Sequence, residues 1–461
     1  MTMKVMSMKR LSMALRAGQV ALGCMLFLNA GASGAIDLVG AYQQALAHDP
    51  TSLAANDALT AGREKAVQGD ALLRPRVSLQ AALDRINNRS SANPPAELAP
   101  LVSADSSGTA RQAGVLLVQP LYDKTAVATR KQLGEQSNLA QTQFDQSRQD
   151  LALRVAEAYF GVVLGEETLR VVRAEKAALR QQRDRAKARF DIGQGKITDL
   201  HEAQARLDGV ESREVTAQSA LEQRRTRFLE TVGLPPDQLS GLAPNFAPRP
   251  PEPDNLLAWQ ARGEDQNYVV KTKQSELDIA RAEIDKYRVS SRPTVALVAR
   301  YGAQGQTGNL APWVAASNTR TATIGVQLNI PLYAGGGLDS RERESVARRS
   351  QAEQEVAAAR RDVRLNVQDG FLSVKTGVSR VAALEQSLTS ARSALAATTL
   401  GRDVGTRTEP DVLDAQQRVF AAELDLVQAR LDYLLGRLRL AAAAGELSEE
   451  TLRSLNAWLA A

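Results

Sequence analysis

The chain has 461 residues, of which 44% are hydrophobic and 24% are charged, so it is long enough for more than one ordinary domain. Its formal charge is +5, but four of the basic residues precede the first acidic residue, Asp37. Removing these four from the 57 Lys and Arg residues leaves 53 against 52 acidic residues. This balance argues against the broad basic surface that nucleic-acid binding requires.

Residues 1–35 have the pattern of a secretory signal peptide. The four early basic residues are Lys4, Lys9, Arg10 and Arg16. An apolar run from Val20 to Leu28 follows, which is too short to span a bilayer as a helix, and small residues then favour cleavage after Ala32 or Ala35. We interpret Cys24, the single cysteine, as part of this run rather than a lipoprotein site. The mature chain is therefore predicted to be exported and to lack disulfides.

The rest of the sequence is doubled. Segments of the first half that begin at Leu72 ("LLRPRVSLQAAL"), Val118 ("VQPLYD") and Phe190 ("FDIGQGKITDLHEAQ") match segments of the second half that begin at Ser290 ("SSRPTVALVARY"), Asn329 ("NIPLYAGG") and Gly401 ("GRDVGTRTEPDVLDAQ"). We predict two repeats, 36–233 and 255–461, joined by a Pro-rich linker over 234–254. Each repeat is read as a short helix region, two strands, and two long helices joined by a turn.

Four strands are predicted, each bounded by a proline: Arg76–Leu83, Gln112–Gln119, Val295–Tyr301 and Thr321–Ile330. The last alternates apolar and polar residues, which indicates one apolar face. Each is about the length that a tilted strand needs to cross a bilayer. The segments 87–108 and 303–318 are rich in Ser, Gly and Asn and are predicted to be long external loops. Two hairpins in a soluble protein are the alternative.

Two helices of unusual length are predicted over 125–190 and 338–404, because neither segment contains proline. At about 1.5 Å per residue each spans about 100 Å, which favours coiled-coil or barrel elements over a compact domain.

The last helix carries a heptad seam that alternates large residues with small ones. The large ones are Val412, Val419, Leu426, Tyr433 and Leu440, and the small ones are Ala415, Ala422, Ala429 and Gly436. The corresponding seam of the first half (Leu200, Ala203, Leu207 and Val210) is interrupted by Glu214.

Four strands cannot close a barrel, and an open sheet edge is not tolerated in lipid. We therefore predict that several chains assemble into one barrel.

The order of elements, the "YQQALAHDP" start, the strand ends "QPLY" and "IPLYAGG" and the "VGTRTEPDVLDAQ" turn resemble the TolC family of outer-membrane channel proteins. The resemblance implies an α+β membrane protein. Three chains would form a twelve-stranded outer-membrane β-barrel, continued by a twelve-helix periplasmic α-barrel, with two structural repeats in each chain.

The resemblance also implies a function and partners. The homotrimer would be the exit duct of a tripartite system in a Gram-negative outer membrane. It would receive substrate from a periplasmic adaptor and an inner-membrane transporter, either ABC or proton-driven. We expect type I protein secretion. Drug efflux is the alternative within the class, and a non-conducting structural tether is the alternative outside it.

The resemblance assigns roles to residues of the two turns. Asp411 and Asp414, three apart on one helix face, would form a carboxylate ring that constricts the pore, selects cations and has raised pKa values from mutual repulsion. Gly193, Gly405 and Thr406 would form the tip turns and dock the adaptor.

A gate latch is expected between the two turns. Arg407 would pair with Thr198 and Asp199 of a neighbouring coil. Arg402 stands where the family has a second latch residue, a tyrosine, and would replace it with a salt bridge to Asp199. Independently of the family, Thr198 or Asp199 and Thr408 suit helix caps.

Enzymatic chemistry is not indicated. "FDIGQGKIT" lacks the glycine and hydroxyl positions of a phosphate-binding loop. His48 and His201, the only histidines, are far apart in the sequence, and no metal-ligand spacing is visible. We predict no enzyme activity, no cofactor and no metal.

Overall fold

The computed structural model describes residues 36–89, 105–237, 239–243, 246–311 and 314–459. The predicted signal peptide and Cys24 lie outside these residues. Helices of the first half are α1 (Leu38–His48), α2 (Pro50–Ala71), α3 (Lys124–Asp191) and α4 (Ile197–Val232). Those of the second half are α5 (Leu256–Gln266), α6 (Tyr268–Arg288), α7 (Gly337–Asp403), α8 (Glu409–Ala444) and α9 (Glu449–Asn456). The strands are β1 (Arg76–Arg89), β2 (Asp105–Tyr122), β3 (Thr294–Ala311) and β4 (Val314–Asn329).

The same order of elements runs through both halves. Two short helices precede a hairpin, which is followed by a helix of 68 or 67 residues and another of 36. The sequence predicted only one short helix region per half, whereas α2 and α6 add helices of 22 and 21 residues. Because α2 buries little beyond Leu59, it has no apolar stripe that would reveal it.

The strands form one antiparallel sheet in the order β1-β2-β3-β4, so the second hairpin pairs with the first through β2 and β3. The register places Leu79, Val115 and Tyr301 side by side on one face. This face carries exposed apolar side chains on β1 and β4 also, including Val77, Leu83, Ile324, Val326 and Leu328. The opposite face is mainly polar. The sheet therefore exposes one apolar surface although every strand is paired.

The strands are longer than predicted, and the predicted loops are wrong over part of their length. Residues 87–89, 105–108, 303–311 and 314–318 belong to strands. The prediction followed apolar alternation, which ends near Leu83. Beyond that point the strands continue because antiparallel pairing satisfies the backbone whatever the side chains are.

The two long helices lie where they were predicted, within one residue at each end. All nine residues of the predicted α8 seam are buried, and α8 packs along α7. In α4 the seam resumes after Glu214 with Leu221 and Phe228. Glu214 itself accepts hydrogen bonds from Lys176 Nζ at 3.0 Å and Arg173 Nε at 3.1 Å. These two contacts lower the pKa of the Glu214 carboxyl, which explains how a charge is tolerated at a seam position.

The Pro-rich segment crosses the middle of the long helices, where the main apolar core lies. The hydroxyl of buried Tyr159 donates to the carbonyls of Ile36 and Ser240 at 3.0 and 2.9 Å. The hydroxyl of buried Tyr433 bonds both backbone groups of Arg249. Two tyrosines thus fix this segment to α3 and α8. No helix in the described part of the chain is both long and apolar enough to cross a membrane.

Candidate functional site

The candidate site is the pair of turns at one end of the long helices. Both turns reverse the chain through a glycine with positive φ, +72° at Gly193 and +82° at Gly405, a region that L side chains rarely adopt. The amide of Gln194 donates to the Arg189 carbonyl at 2.8 Å, and that of Thr406 to the Gly401 carbonyl at 2.8 Å. The two reversals therefore share one hydrogen-bonding pattern.

The helices that follow begin differently. Thr408 is the N-cap of α8 and forms a capping box with Asp411, as the sequence predicted for Thr408. The N-cap of α4 is Lys196, whose side chain makes no capping bond. The prediction that Thr198 or Asp199 caps α4 is wrong, because both lie inside its first turn. The negative charge of Asp199 is still stabilising there, because the N-terminus of a helix carries a partial positive charge.

Asp411 has a structural partner within its own chain. Its Oδ2 accepts from the backbone amide and the hydroxyl of Thr408, both at 2.8 Å. These bonds lower the pKa of the Asp411 carboxyl. The predicted rise in pKa belongs to a ring of carboxylates from several chains, and it stays a prediction. Any rise would have to come from neighbouring copies.

Asp414 is paired with a residue that sequence reasoning missed. Arg206 Nη2 lies 2.7 Å from Asp414 Oδ1 and 2.8 Å from Glu202 Oε1. The guanidinium therefore joins a carboxylate of α4 to one of α8. The spacing of Glu202 and Arg206, four apart on one helix face, is the signal that could have drawn attention to Arg206.

The start of α8 is attached to the first coil, α3 and α4, by further contacts. Leu413 is 1% exposed and belongs to a small apolar cluster with residues of α3 and α4, namely Val172, Leu179, Ala203, Leu207 and Val210. Ion pairs join Arg170 to Glu423 at 3.2 Å and Arg189 to Glu409 at 3.7 Å. Together with the Arg206–Asp414 pair, these contacts hold the tip of α8 against the first coil.

The predicted latch residues do not meet within one chain. Arg402 is 12% exposed and pairs with Asp403 at 2.7 Å and Glu409 at 3.4 Å, rather than with Asp199. Among the described residues, neither a hydrogen bond nor an ion pair joins Arg407 to Thr198 or Asp199. A latch between neighbouring chains stays a prediction.

The outer surface of the tip is exposed. Gly193, Gly405 and Thr406 are exposed, and Ile192 and Val404 beside the two glycines are each 67% exposed. Adaptor docking through these residues stays a prediction. Over the described ranges, no group of three or more His, Cys, Asp or Glu side chains could hold a metal ion.

This chain combines two coils that end in matching turns with an antiparallel sheet that has one exposed apolar face. The family model described as "Outer membrane efflux protein" matches residues 41–234 and 265–446. The chain belongs to the outer membrane efflux protein family. The expectation drawn from the sequence motifs is thereby confirmed at the level of the family.

Individual proteins resemble most of the length of this chain. The outer membrane protein TolC of Vibrio cholerae is 32% identical over 425 residues, 92% of this chain and 94% of the relative. The alkaline protease secretion protein AprF of Pseudomonas aeruginosa is 27% identical over 432 residues, 93% and 89% of the two chains. The outer membrane channel CmeC of Campylobacter jejuni has the same fold, with a TM-score of 0.75 at 14% identity over 91% of this chain and 88% of that one.

Membership of this outer membrane efflux protein family fixes place and general role. The protein is an outer-membrane channel of the efflux and secretion class, extending into the periplasm of a Gram-negative cell. TolC-family channels work with a periplasmic adaptor and an inner-membrane transporter. The family transports substrates rather than transforming them.

Proposed function

We propose that three copies of this chain form a closed exit duct for type I protein secretion. The supporting observation is the sheet, because within the described part of the chain its outer strands β1 and β4 each have one unpaired edge while the apolar face is exposed. Unpaired backbone groups are not tolerated in lipid. Three four-stranded sheets joined edge to edge would remove all of these edges in one twelve-stranded barrel.

The long helices supply the periplasmic part of the duct. Two coils from each of three chains would make a twelve-helix tube, with the turns at its tip. Asp411 and Asp414 would then be repeated around the axis and favour cations at the entrance. Arg206 would neutralise part of this charge at each Asp414.

The duct would be closed when α8 lies against the first coil, and would open when a partner separates them. Leu413 and three ion pairs of α8 support the closed arrangement. Arg407 would add contacts to Thr198 and Asp199 of a neighbouring coil, while Arg402 stays paired with Asp403 and Glu409. Gly193, Gly405 and Thr406 would receive the adaptor.

Protein cargo is favoured by the relatives. AprF is named for secretion of an alkaline protease, and it matches 93% of this chain. Drug efflux is the second candidate, favoured by the family's own description. A structural tether that conducts nothing would need neither a pair of aspartates at the tip nor ion pairs that can open.

Deletion of the gene in its own host tests the cargo. We expect one or a few proteins to disappear from the culture supernatant while sensitivity to dyes, detergents and antibiotics stays unchanged. Complementation with the intact gene is the control and should restore the supernatant. Increased sensitivity with an unchanged supernatant would contradict protein secretion and indicate efflux. Both changes together would indicate a shared duct.

A further inference from the structure

The apolar face of the sheet ends at arginine on three of its four strands. Along β4, apolar residues on this face are followed by Arg320; along β2 they are followed by Arg111; along β1 they are followed by Arg85. The apolar residues are Leu328, Val326, Ile324 and Ala322 in β4, Leu117, Val115 and Ala113 in β2, and Val77, Leu79, Ala81 and Leu83 in β1. In the register of the sheet, the change shifts by one same-face position between β1 and β2 and by one more between β2 and β4.

The register shows that the three arginines share this face. Arg111 lies opposite Leu83 on one side and Gly305 on the other, and Gly305 lies opposite Asn318. Arg111 Nη2 donates to Asn318 Oδ1 at 3.1 Å, across the strand position where Gly305 has no side chain. This contact places the Arg111 side chain on the apolar face.

Arg320 and Arg85 occupy the levels immediately beside Arg111. Arg320 aligns with Ala303, one level nearer the helices, and Arg85 aligns with Thr109, one level farther away. The three guanidinium groups therefore follow a diagonal across the sheet. They lie beyond an apolar band that measures about 20 Å along β4 from Leu328 to Ala322, close to the about 25 Å band of outer-membrane barrels.

Among the residues that the structure describes, no carboxylate forms an ion pair with any of these three arginines. All three are exposed. Arg89, farther out on the same face, does pair with Asp105, at 3.8 Å. An uncompensated guanidinium is costly inside hydrocarbon but favourable at headgroup depth, where it binds phosphate oxygens in pairs.

We propose that Arg85, Arg111 and Arg320 form a binding site for the phosphate groups of a lipid headgroup. The site lies at the end of the sheet away from the helices. Because the helices extend into the periplasm, this end faces the outer leaflet. The apolar residues below it would contact the acyl chains of the same lipid. The inference rests on the proposed barrel, in which this face meets lipid.

Native mass spectrometry of the full-length protein in detergent tests this site, with bisphosphorylated lipid A and dephosphorylated lipid A as the probes. We expect the wild-type protein to bind the phosphorylated form more tightly. The triple variant Arg85→Gln, Arg111→Gln, Arg320→Gln should lose that preference, with affinity reduced by about a hundredfold, since three cations that each attract an anionic headgroup are removed. Arg111→Gln alone should cause a smaller loss.

Arg300→Gln is the matched control. Arg300 belongs to the same sheet but to its polar face, beside Thr323 and Leu116, so its removal should leave lipid binding unchanged. A triple variant that keeps the preference, or a wild type without one, would overturn the site. Binding of inorganic phosphate as tight as that of lipid A would also overturn it, by making the ligand a free anion.

Conductance of the same preparations in planar bilayers separates this inference from the proposed duct. If the wild type and the triple variant bind phosphorylated lipid A equally and conductance is intact, the lipid site is wrong and the duct stands. If the wild type conducts no current but still prefers the phosphorylated lipid, the duct is wrong and the lipid site stands.

Discussion

Arg206 makes the contacts that differ most from what the sequence predicts for the tip. The sequence presents Asp414 as a free carboxylate of a pore ring, but Arg206 pairs with it at 2.7 Å and also holds Glu202. The pair is partly exposed, so its contribution is expected to be at most about 1 kcal/mol. That is enough to bias an equilibrium between two states of the tip without locking either one.

Replacement of Arg206 by glutamine should loosen the tip and uncover Asp414. We expect the ratio of open to closed states to rise by up to about fivefold for each pair that is lost, the factor that corresponds to about 1 kcal/mol. The preference for cations should rise as well, because three carboxylates lose their partners. Single-channel recording under a salt gradient measures both quantities.

Arg213→Gln is the control for this prediction. Arg213 lies one heptad farther along α4 and pairs with Glu175 of α3 at 2.6 Å, not with α8. Its loss should leave open probability and selectivity near wild type. Equal effects of the two substitutions would show that loss of any cross-helix ion pair, rather than release of α8, changes the channel.

At the scale of elements, α8 joins the two coils. Its seam packs on α7, while Leu413, Asp414 and Glu423 near its start contact α3 and α4. Small seam residues such as Ala429, which is 2% exposed, allow α7 and α8 to approach closely. Opening of the tip therefore has to preserve the packing of α8 on α7 while the contacts of α8 with α3 and α4 break.

Substitution of Ala429 by leucine tests the packing of this seam. A larger side chain in a filled position should cost about 1–3 kcal/mol and lower the thermal unfolding midpoint of the α-helical circular dichroism signal. Ala421→Leu, at an exposed position of the same helix, is the matched control and should change the midpoint little. Similar midpoints for the two variants would mean that α7 and α8 are not closely packed here.

At the scale of the whole molecule, the sequence predicts those features that rest on a periodic pattern of residues. The bounds of α3 and α7 and the buried seam of α8 follow from uninterrupted helical and heptad patterns over many residues. The positive φ of Gly193 and Gly405 follows from turn chemistry.

Features without a local pattern were missed. The outer parts of the strands are held by backbone pairing with a distant hairpin, and α2 is mostly exposed where it lies along α3. The partners of Asp414 and Arg402 depend on how α4 and α8 meet, and on which of several nearby carboxylates an arginine reaches. No spacing within one segment encodes such choices.

Single-channel recording of the purified protein in planar bilayers tests most directly whether three chains form a duct that is closed at its tip. We expect the wild type to migrate as a trimer and to give a small, stable conductance, and Arg407→Ser to give a larger one because a contact between neighbouring chains is lost. A trimer of the wild type that conducts nothing would contradict the duct and support a tether. An unchanged conductance in Arg407→Ser would show that Arg407 does not hold the gate closed.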